Sequence, residues 1–331
     1  MSRAFKLVIC VRHAFELWTA PAWFSERLRK DFPQLQIAHL PDYKSLTEEI
    51  RDAEVFVGWS LRAEQVAAAK KLRWVHSTAA AVHQLLSPEL VAGEIVLTNS
   101  TQVHGPVVAE HALALILALA KRLPSAVKLQ QRGVWGQAAM WEDRPRPREV
   151  AGATLGVVGL GNIGGELVRL ARALGMKVLA VREHPEKGTG GADEVYGPEQ
   201  LAQVLGEADY VVLAAPLTEK SRGLMNAERL ARMKPDAFLI NVSRGALVDE
   251  AALAAALQKH TIAGAALDVF ATEPLPAKSP LWRLENLLIT PHTAAVTERL
   301  WERHYELLAD NLRRYLAGQP LRGVVDKTRG Y

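Results

Sequence analysis

Residues 154–164 have the sequence TLGVVGLGNIG, and this stretch decides the fold. Its first five residues predict a buried strand, and the G-x-G-x-x-G turn that follows opens a helix predicted over 163–174. In that context the first glycine permits a tight turn, the second lets a pyrophosphate approach the backbone, and the third lets helix and strand pack closely. The alternative is that the glycines serve only a sharp turn. We predict a dinucleotide site whose contacts are Gly159, Gly161, Asn162, Ile163 and Gly164.

Strands and helices alternate on both sides of this turn. The predicted strands lie at 6–11, 36–39, 55–59, 74–77, 154–158, 177–181, 210–214, 237–241, 264–267 and 287–290. The predicted helices lie at 22–31, 62–70, 163–174, 198–205, 227–231, 250–259 and 297–316. Because parallel strands need helical crossovers that cover their faces, the pattern predicts an α/β protein with two doubly wound, Rossmann-like parallel sheets.

Two segments depart from this alternation. Residues 107–123 follow Pro106 and predict a helix that is apolar all round, which is normally buried, here between domains or between subunits. Residues 141–150 are charged, carry two prolines and lack a period, so they predict a surface connection.

Composition excludes several classes of protein. Hydrophobic residues make up 49% of the 331, which is enough for two buried cores. The net charge of +4 is spread along the chain without a block of like charges, so nucleic-acid binding is not indicated. Cys10 is the only cysteine and lies in a predicted strand, which excludes an internal disulfide. The apolar stretch 112–120 is shorter than the ~20 residues of a membrane span, and we expect a cytoplasmic protein without membrane or nucleic-acid partners.

Arg182 bears on the choice of dinucleotide. It follows the predicted strand 177–181, roughly 20 residues after Gly159, where a carboxylate that binds the ribose 2′-hydroxyl of NAD is normally found. A guanidinium offers a fork of donors to a 2′-phosphate instead, so Arg182 predicts NADP. The alternative is that Arg182 is solvated and that Glu183 supplies the missing carboxylate.

Three segments place polar residues just past the end of a predicted strand: 241–245 (NVSRG), 268–274 (DVFATEP) and 290–294 (TPHTA). Ligands of open α/β sheets bind beyond the carboxyl ends of the strands, so these side chains are expected to converge. Reduction of a 2-oxo acid needs a cation for the carboxylate, a proton donor that titrates near neutrality, and an acid that orients this donor. These segments supply an arginine, Arg244, a histidine, His292, and two carboxylates, Asp268 and Glu273, from which the three functions can be met.

The chain resembles the D-isomer-specific 2-hydroxyacid dehydrogenase family over essentially its whole length. Further motifs that carry the resemblance are 109–111 (AEH), 216–218 (PLT), 279–282 (SPLW) and 318–321 (GQPL). The resemblance implies a substrate-binding domain of residues 1–103 with 296–331, a dinucleotide-binding domain of residues 104–295, and a cleft between them. It also implies a homodimer whose contact includes the apolar helix.

The resemblance also implies roles for individual residues. Arg244 would bind the substrate carboxylate and carbonyl, Glu273 would pair with His292, and His292 would be the general acid/base. Asp268 would line the nicotinamide pocket. The backbone of a loop that includes Ala80 and Ala81 would hold the substrate carboxylate, with Ala81 in place of the family's usual glycine. The remaining cofactor contacts implied are Pro216, Thr218 and Val242, while Asn162 and Ala214 replace a frequent arginine and a common histidine.

The leading hypothesis is therefore an NAD(P)-dependent D-2-hydroxyacid dehydrogenase, similar to glyoxylate/hydroxypyruvate reductases, that prefers NADP and acts on a small 2-oxo acid. A 3-phosphoglycerate dehydrogenase and a nucleotide-sensing corepressor are the alternatives. No His/Asp/Glu pattern has metal-ligand spacing, so no metal is expected. His104 and His111 are open between functional and packing roles, and Trp141 and Trp282 are expected to pack.

Overall fold

The computed structural model describes residues 4–330, which form two compact units. One unit contains the chain up to His104 together with the residues from Val296 onward, and the other is Gly105–Ala295. The domain boundary expected from the sequence places His104 in the second unit, whereas the structure places it in the first.

Within the part of the chain that the structure describes, the first unit has a five-stranded, all-parallel sheet in the order β2-β1-β3-β4-β5. Its strands are β1 Lys6–Cys10, β2 Gln36–His39, β3 Val55–Gly58, β4 Trp74–His76 and β5 Val96–Thr98. The central strands are buried almost throughout, which is why their sequence is continuously apolar. The sequence pattern does not predict β5, because three residues at a sheet edge carry too short a pattern.

Helices cover both faces of this sheet. They are α1 Ala22–Asp31, α2 Leu46–Glu49, α3 Ala63–Ala68 and α4 Pro88–Ala92. The predicted helix 22–31 is confirmed by α1, which buries Phe24 and Leu28. Cys10 is buried, as expected of a core residue, and burial raises the pKa of its thiol to about 12.

The long apolar helix, α5 Thr101–Ala120, begins six residues earlier than predicted. Asn99 stabilises the earlier start, since its Oδ1 accepts hydrogen bonds from the backbone N–H and the hydroxyl of Thr101. Pro106 therefore lies inside the helix rather than at its first position. The predicted C-terminal residues of this helix are lost because Arg122 adopts a left-handed conformation with φ 56°.

Among the described residues, α5 alone is long and apolar enough to cross a membrane. The sequence-based expectation rested on residues 112–120 only, whereas the helix has 20 residues. Of its most apolar window, 61% is buried inside the protein, and the core helix of a soluble protein meets the same criterion. Val103 packs with Leu300 and Leu307 in the first unit. Seven further buried side chains of α5 belong to a core of the second unit: Val108, Ala109, Ala112, Leu115, Ile116, Leu119 and Ala120.

Two helices that the sequence pattern does not predict follow α5. They are α6 Leu123–Gln131 and α7 Gln137–Glu142. Asp143, which follows α7, joins the two ends of this segment. It accepts hydrogen bonds from the Arg122 guanidinium and from Ser125 Oγ at 3.2 Å. The irregular chain from Asp143 to Glu149 agrees with the predicted surface connection.

The second unit, every residue of which is described, has a seven-stranded, all-parallel sheet in the order β12-β11-β10-β9-β6-β7-β8. Its strands are β6 Thr154–Val158, β7 Lys177–Val181, β8 Glu194–Tyr196, β9 Tyr210–Leu213, β10 Phe238–Asn241, β11 Gly264–Leu267 and β12 Leu287–Ile289. The sequence pattern predicts all of these except the edge strand β8. From β6 the chain adds β7 and β8 on one side and then β9 to β12 on the other side. The boundary between β6 and β9 is therefore the switch point, where open parallel sheets bind ligands.

The strands of the second unit are covered by α8 Asn162–Ala173, α9 Leu201–Glu207, α10 Ala227–Leu230 and α11 Glu250–Gln258. Successive residues of the central strands face opposite sides, so Val157 joins one core and Val158 the other. The chain returns to the first unit with α12 Leu300–Leu316, which packs Tyr305 and Leu308 into the core that also contains α1. Gly318, with φ 65°, ends it as predicted.

Candidate active site

The glycine-rich turn lies at the switch point of the second sheet, between β6 and α8. Gly159 has φ 103°, and a Cβ there would lie 2.6 Å from the carbonyl carbon of Ala214. Around Gly161, in contrast, a Cβ would meet no atom within 4 Å, so open space lies in front of the first residues of α8. Free N–H groups of a helix N-terminus beside open space suit a pyrophosphate, and the site therefore fits a dinucleotide.

The segment after β7 contains Arg182, which is predicted to select the dinucleotide. Arg182 is half-buried, and its Nη1 donates to the carbonyl of Gly188 at 3.1 Å. On the other side of β6, Pro216 and Thr218 form a compact turn after β9, in which Ser221 Oγ donates to the Pro216 carbonyl at 2.8 Å. Val242 follows β10 and is buried.

Arg244 lies in the loop after β10. Its Nη1 donates to the carbonyl of Ser243 at 2.7 Å, and the side-chain amide of Asn241 donates to the backbone carbonyl of Arg244 at 2.9 Å. Gly245 lets this loop touch the next one, because a Cβ at that position would lie 1.8 Å from the carbonyl carbon of Phe270. Burial lowers the pKa of Arg244, while the nearby charge of Glu273 acts in the opposite direction.

Glu273 and His292 form a direct pair. His292 Nδ1 lies 2.6 Å from Glu273 Oε2, and the other carboxylate oxygen accepts from the backbone N–H of Phe270 at 2.8 Å. A carboxylate can only accept from the imidazole unless it is itself protonated, so Nδ1 carries the hydrogen and Nε2 is left to exchange a proton. The His292 side chain is half exposed, which lets a ligand reach Nε2.

Asp268 is fully buried at the end of β11. Its Oδ1 accepts from Thr290 Oγ1 at 2.6 Å and from Thr293 N at 2.9 Å, and its Oδ2 accepts from Ala294 N at 3.0 Å. The carboxylate thus holds the loop that carries His292. Whether Asp268 also contacts a nicotinamide stays a prediction.

His111 joins this network from α5. Its Nε2 lies 3.1 Å from Thr290 Oγ1 and 3.5 Å from Asp268 Oδ1. From the sequence, His111 can either pack or act in function, and no role is predicted for Thr290. The only sequence signal for this contact is a histidine in an otherwise apolar helix. His104, by contrast, is a buried packing residue, with its ring 5.6 Å from that of His304 in the first unit.

Two predicted substrate contacts lie in the first unit. Ala80 and Ala81 are half-buried in the segment after β4, where the side-chain amide of Asn99 donates to the Ala80 carbonyl at 3.3 Å. Trp141 and Trp282, which are expected to pack, both lie at the surface and are 59% and 51% exposed. Trp141 lies within α7, where the Arg146 guanidinium covers its ring, and Trp282 lies within the helical turn Pro280–Arg283, where its Nε1 donates to the Pro276 carbonyl at 3.0 Å. Among residues 4–330, no group of three His, Cys, Asp or Glu side chains is placed to hold a metal ion.

The fold and this site define a dinucleotide-binding α/β protein with a carboxylate–histidine pair beside an arginine. A family model, "D-isomer specific 2-hydroxyacid dehydrogenase, NAD binding domain", matches residues 113–294. A glyoxylate reductase of Korarchaeum cryptofilum is 37% identical over 287 residues, which cover 84% of each chain.

Two solved structures cover 99% of this chain and 100% of their own. A D-isomer specific 2-hydroxyacid dehydrogenase of Xanthobacter autotrophicus in complex with NADPH has a TM-score of 0.82 and 30% identity. An NADPH-dependent glyoxylate/hydroxypyruvate reductase of Sinorhizobium meliloti has a TM-score of 0.82 and 26% identity. The chain belongs to the D-isomer specific 2-hydroxyacid dehydrogenase family. It is an NAD(P)-dependent oxidoreductase that acts on 2-hydroxy acids.

Proposed function

We propose that this protein is a reductase of small 2-oxo acids in which His292 is the general acid/base and Arg244 binds the substrate carboxylate. The observation that carries the proposal is the His292–Glu273 pair, which leaves Nε2 exposed for proton transfer. Arg244 is close enough to Glu273 for their charges to interact. An arginine fork next to a positioned proton donor is the arrangement that an anionic carbonyl substrate requires.

The reaction needs one hydride and one proton. The turn at Gly159 and Gly161 would hold the nicotinamide dinucleotide, which would supply the hydride for C2 of the oxo acid. His292 Nε2 delivers the proton to the carbonyl oxygen, which becomes the hydroxyl. Glu273 stabilises the imidazolium that exists before this transfer. The backbone at Ala80 and Ala81 is proposed as a second contact for the carboxylate, since paired N–H groups bind anions well.

A matrix of assays tests the proposal. Glyoxylate, hydroxypyruvate and 3-phosphohydroxypyruvate are each offered with NADH and with NADPH, and oxidation of the dinucleotide is followed by the loss of absorbance of its reduced nicotinamide. We expect turnover with glyoxylate or hydroxypyruvate. Turnover confined to the phosphorylated acid would contradict the proposal in favour of a phosphoglycerate dehydrogenase, and dinucleotide binding without any turnover would favour a corepressor.

We also propose that the enzyme prefers NADPH. Support comes from the half-buried position of Arg182 after β7 and from the two structural relatives described with NADPH. Arg182→Asp should reverse the preference, because a carboxylate accepts from the 2′-hydroxyl of NAD and repels a 2′-phosphate. Loss of a charged hydrogen bond is worth ~1.5–3 kcal/mol, so the ratio of dissociation constants should change by one to two orders of magnitude.

Lys259→Asp is the control for this experiment, since it makes the same change of charge at an exposed position at the end of α11. Titration of each variant with NADH and NADPH, followed by fluorescence, gives the two constants. Equal affinity of wild type for both dinucleotides would show that Arg182 is a solvated residue without a selective role.

A homodimer is proposed as the active form, in a cytoplasmic location. Most apolar side chains of α5 are buried in the core of the protein and are not free for a dimer contact. We therefore propose that the dimer contact lies on residues 123–141, the segment that follows this helix. Exposed apolar side chains of this segment are Leu123, Val127, Val134, Trp135 and Trp141, of which Trp135 is 93% exposed. Large apolar patches of this kind mark association surfaces.

Sedimentation velocity tests the dimer. Wild type should sediment at twice the monomer mass, and Trp135→Asp should shift the protein towards the monomer. Trp282→Asp is the matched control, because Trp282 is also exposed but lies outside the segment. A monomeric wild type, or equal effects of the two substitutions, would contradict the proposed surface.

A further inference from the structure

Three consecutive backbone N–H groups of the loop after β12 converge on a single residue. His292 N donates to the Asp268 carbonyl at 2.8 Å, Thr293 N to Oδ1 at 2.9 Å, and Ala294 N to Oδ2 at 3.0 Å. Successive N–H groups that point the same way form a concave anion site, and here Thr293 N and Ala294 N bind a carboxylate of the protein itself, while His292 N binds the backbone carbonyl of the same residue.

The convergence is tied to an unusual backbone conformation at His292. Its φ of 53° lies in the left-handed region, which side chains with a Cβ adopt rarely. Such a conformation persists only when surrounding contacts specify it. The proposed proton donor is therefore aimed by a loop whose shape depends on Asp268.

The hydrogens of the adjoining network have one consistent arrangement. Thr290 Oγ1 has a single hydrogen, and Asp268 Oδ1, 2.6 Å away, is an acceptor that takes it. Thr290 Oγ1 must then accept from His111 Nε2, which lies 3.1 Å away. His111 is thus hydrogenated at Nε2, and the chain runs from His111 through Thr290 to Asp268.

We propose that His111 and Thr290 are positioning residues which, through Asp268, hold the loop of His292 in its left-handed conformation. This inference rests on the proposed role of His292. The clasp, as we call His111, Thr290 and Asp268, joins α5 to the loop after β12, so the aim of the imidazole is set by a helix that contributes no proposed catalytic group.

Matched pairs of substitutions test the clasp. Thr290→Val keeps the shape of the side chain but removes the hydroxyl, whereas Thr290→Ser keeps the hydroxyl. His111→Leu removes the donor within an apolar helix, whereas the amide of His111→Gln can still donate to Thr290 Oγ1. A misplaced reacting group can cost ~100-fold in rate, so we expect kcat to fall ~10–100-fold in the Val and Leu variants. The Ser and Gln variants should recover most of it.

Dinucleotide affinity and melting temperature separate positioning from general stability. The dissociation constant for the preferred dinucleotide should stay unchanged in all four variants. In contrast, kcat should fall in Thr290→Val and His111→Leu and should be largely kept in Thr290→Ser and His111→Gln. Wild-type kcat in Thr290→Val and His111→Leu would overturn the proposal. So would equal losses in the conservative and the disruptive member of a pair.

A spectroscopic measurement keeps the clasp testable even where the proposed reaction fails. In protein labelled with ¹⁵N-histidine, the ring signals of His111 should show hydrogen on Nε2 and none on Nδ1, and Thr290→Val should change them. A wild-type His111 that carries its hydrogen on Nδ1 would overturn the clasp whatever the activity. A wild type that reduces no 2-oxo acid but shows the expected tautomer would instead refute the proposed function.

Discussion

His292 Nδ1 lies 2.6 Å from Glu273 Oε2, and the second oxygen of Glu273 accepts from the backbone N–H of Phe270. Both oxygens of the carboxylate are therefore engaged, one by the imidazole and one by the chain that precedes it. A carboxylate fixed in this way holds the imidazole in one tautomer and stabilises its charged form.

Replacement of His292 by asparagine should nearly abolish turnover while the dinucleotide still binds. Asparagine tolerates the left-handed backbone better than most residues, so His292→Asn removes the imidazole with little strain. Loss of a positioned proton donor costs ~10²–10⁴-fold in rate, to be measured as kcat. The control is His260→Asn, since His260 has φ 52° but is exposed elsewhere on the second unit. Near-normal turnover in His292→Asn would remove this residue from its proposed role.

Glu273→Gln should lower kcat for oxo-acid reduction by ~10–100-fold. The amide can present either its oxygen or its nitrogen to His292 Nδ1, so it no longer fixes the tautomer that leaves Nε2 free for proton transfer, and a misplaced reacting group can cost ~100-fold in rate. Steady-state kinetics measure kcat, and Glu228→Gln, at an exposed position in the first turn of α10, is the control for loss of a carboxylate outside the pair. Wild-type kcat in Glu273→Gln would contradict the role of the pair.

Arg244→Lys should raise the KM for the oxo acid although both side chains are cations. An ammonium is a point donor that cannot grip a carboxylate with two parallel hydrogen bonds. Burial already lowers the pKa of Arg244, and a lysine in the same surroundings loses its charge more readily. We expect kcat/KM to fall by roughly 10–100-fold, from the ~1.5–3 kcal/mol of a charged hydrogen bond. Arg232→Lys, on the exposed surface, should behave as wild type, and unaltered kinetics of Arg244→Lys would show that Arg244 does not touch the substrate.

The stability of the first unit should fall in mild acid because of buried histidines. Burial lowers the pKa of His76 from 6.5 to about 4, and burial also lowers that of His304 well below 6.5. The folded state thus binds fewer protons than the unfolded state, so the stabilisation is present above pH 6.5 and is lost as the pH falls towards 4. At ~1.4 kcal/mol for each pKa unit, His76 alone accounts for ~3 kcal/mol.

Urea unfolding at several pH values between 4.5 and 7.5 measures this loss. His304→Phe should reduce the slope of unfolding free energy against pH, whereas His260→Gln, at an exposed position, should leave it as in wild type. Phenylalanine has no titratable group and keeps an aromatic ring beside Trp301, whose ring lies 5.1 Å from that of His304. A free energy of unfolding that is constant from pH 6.5 to 4.5 would show that these histidines are protonated without penalty.

The strands that were predicted most accurately are those with continuous apolar sequence. Predicted bounds of 154–158, 177–181 and 264–267 coincide with β6, β7 and β11, because central parallel strands are buried on both faces. The edge strands β5 and β8 were missed, since each has three residues and carries exposed side chains. The predicted start of α5 is too late, because the first residues of this helix depend on hydrogen bonds to Asn99 rather than on apolar periodicity.

What the sequence by itself determined is the α/β architecture, the dinucleotide turn and the convergence of an arginine, a histidine and carboxylates at the strand ends; the pairing of His292 with Glu273 followed from the resemblance to the family. Glycine spacing, strand periodicity and polar residues at strand ends are local signals, and parallel strands bring their ends together without further information. Only the tertiary structure decided that His111, 179 residues from Thr290, contacts the loop of the proposed proton donor. The position of α5 against the sheet depends on the packing of its apolar side chains, and a pattern that is apolar all round does not specify which face turns where.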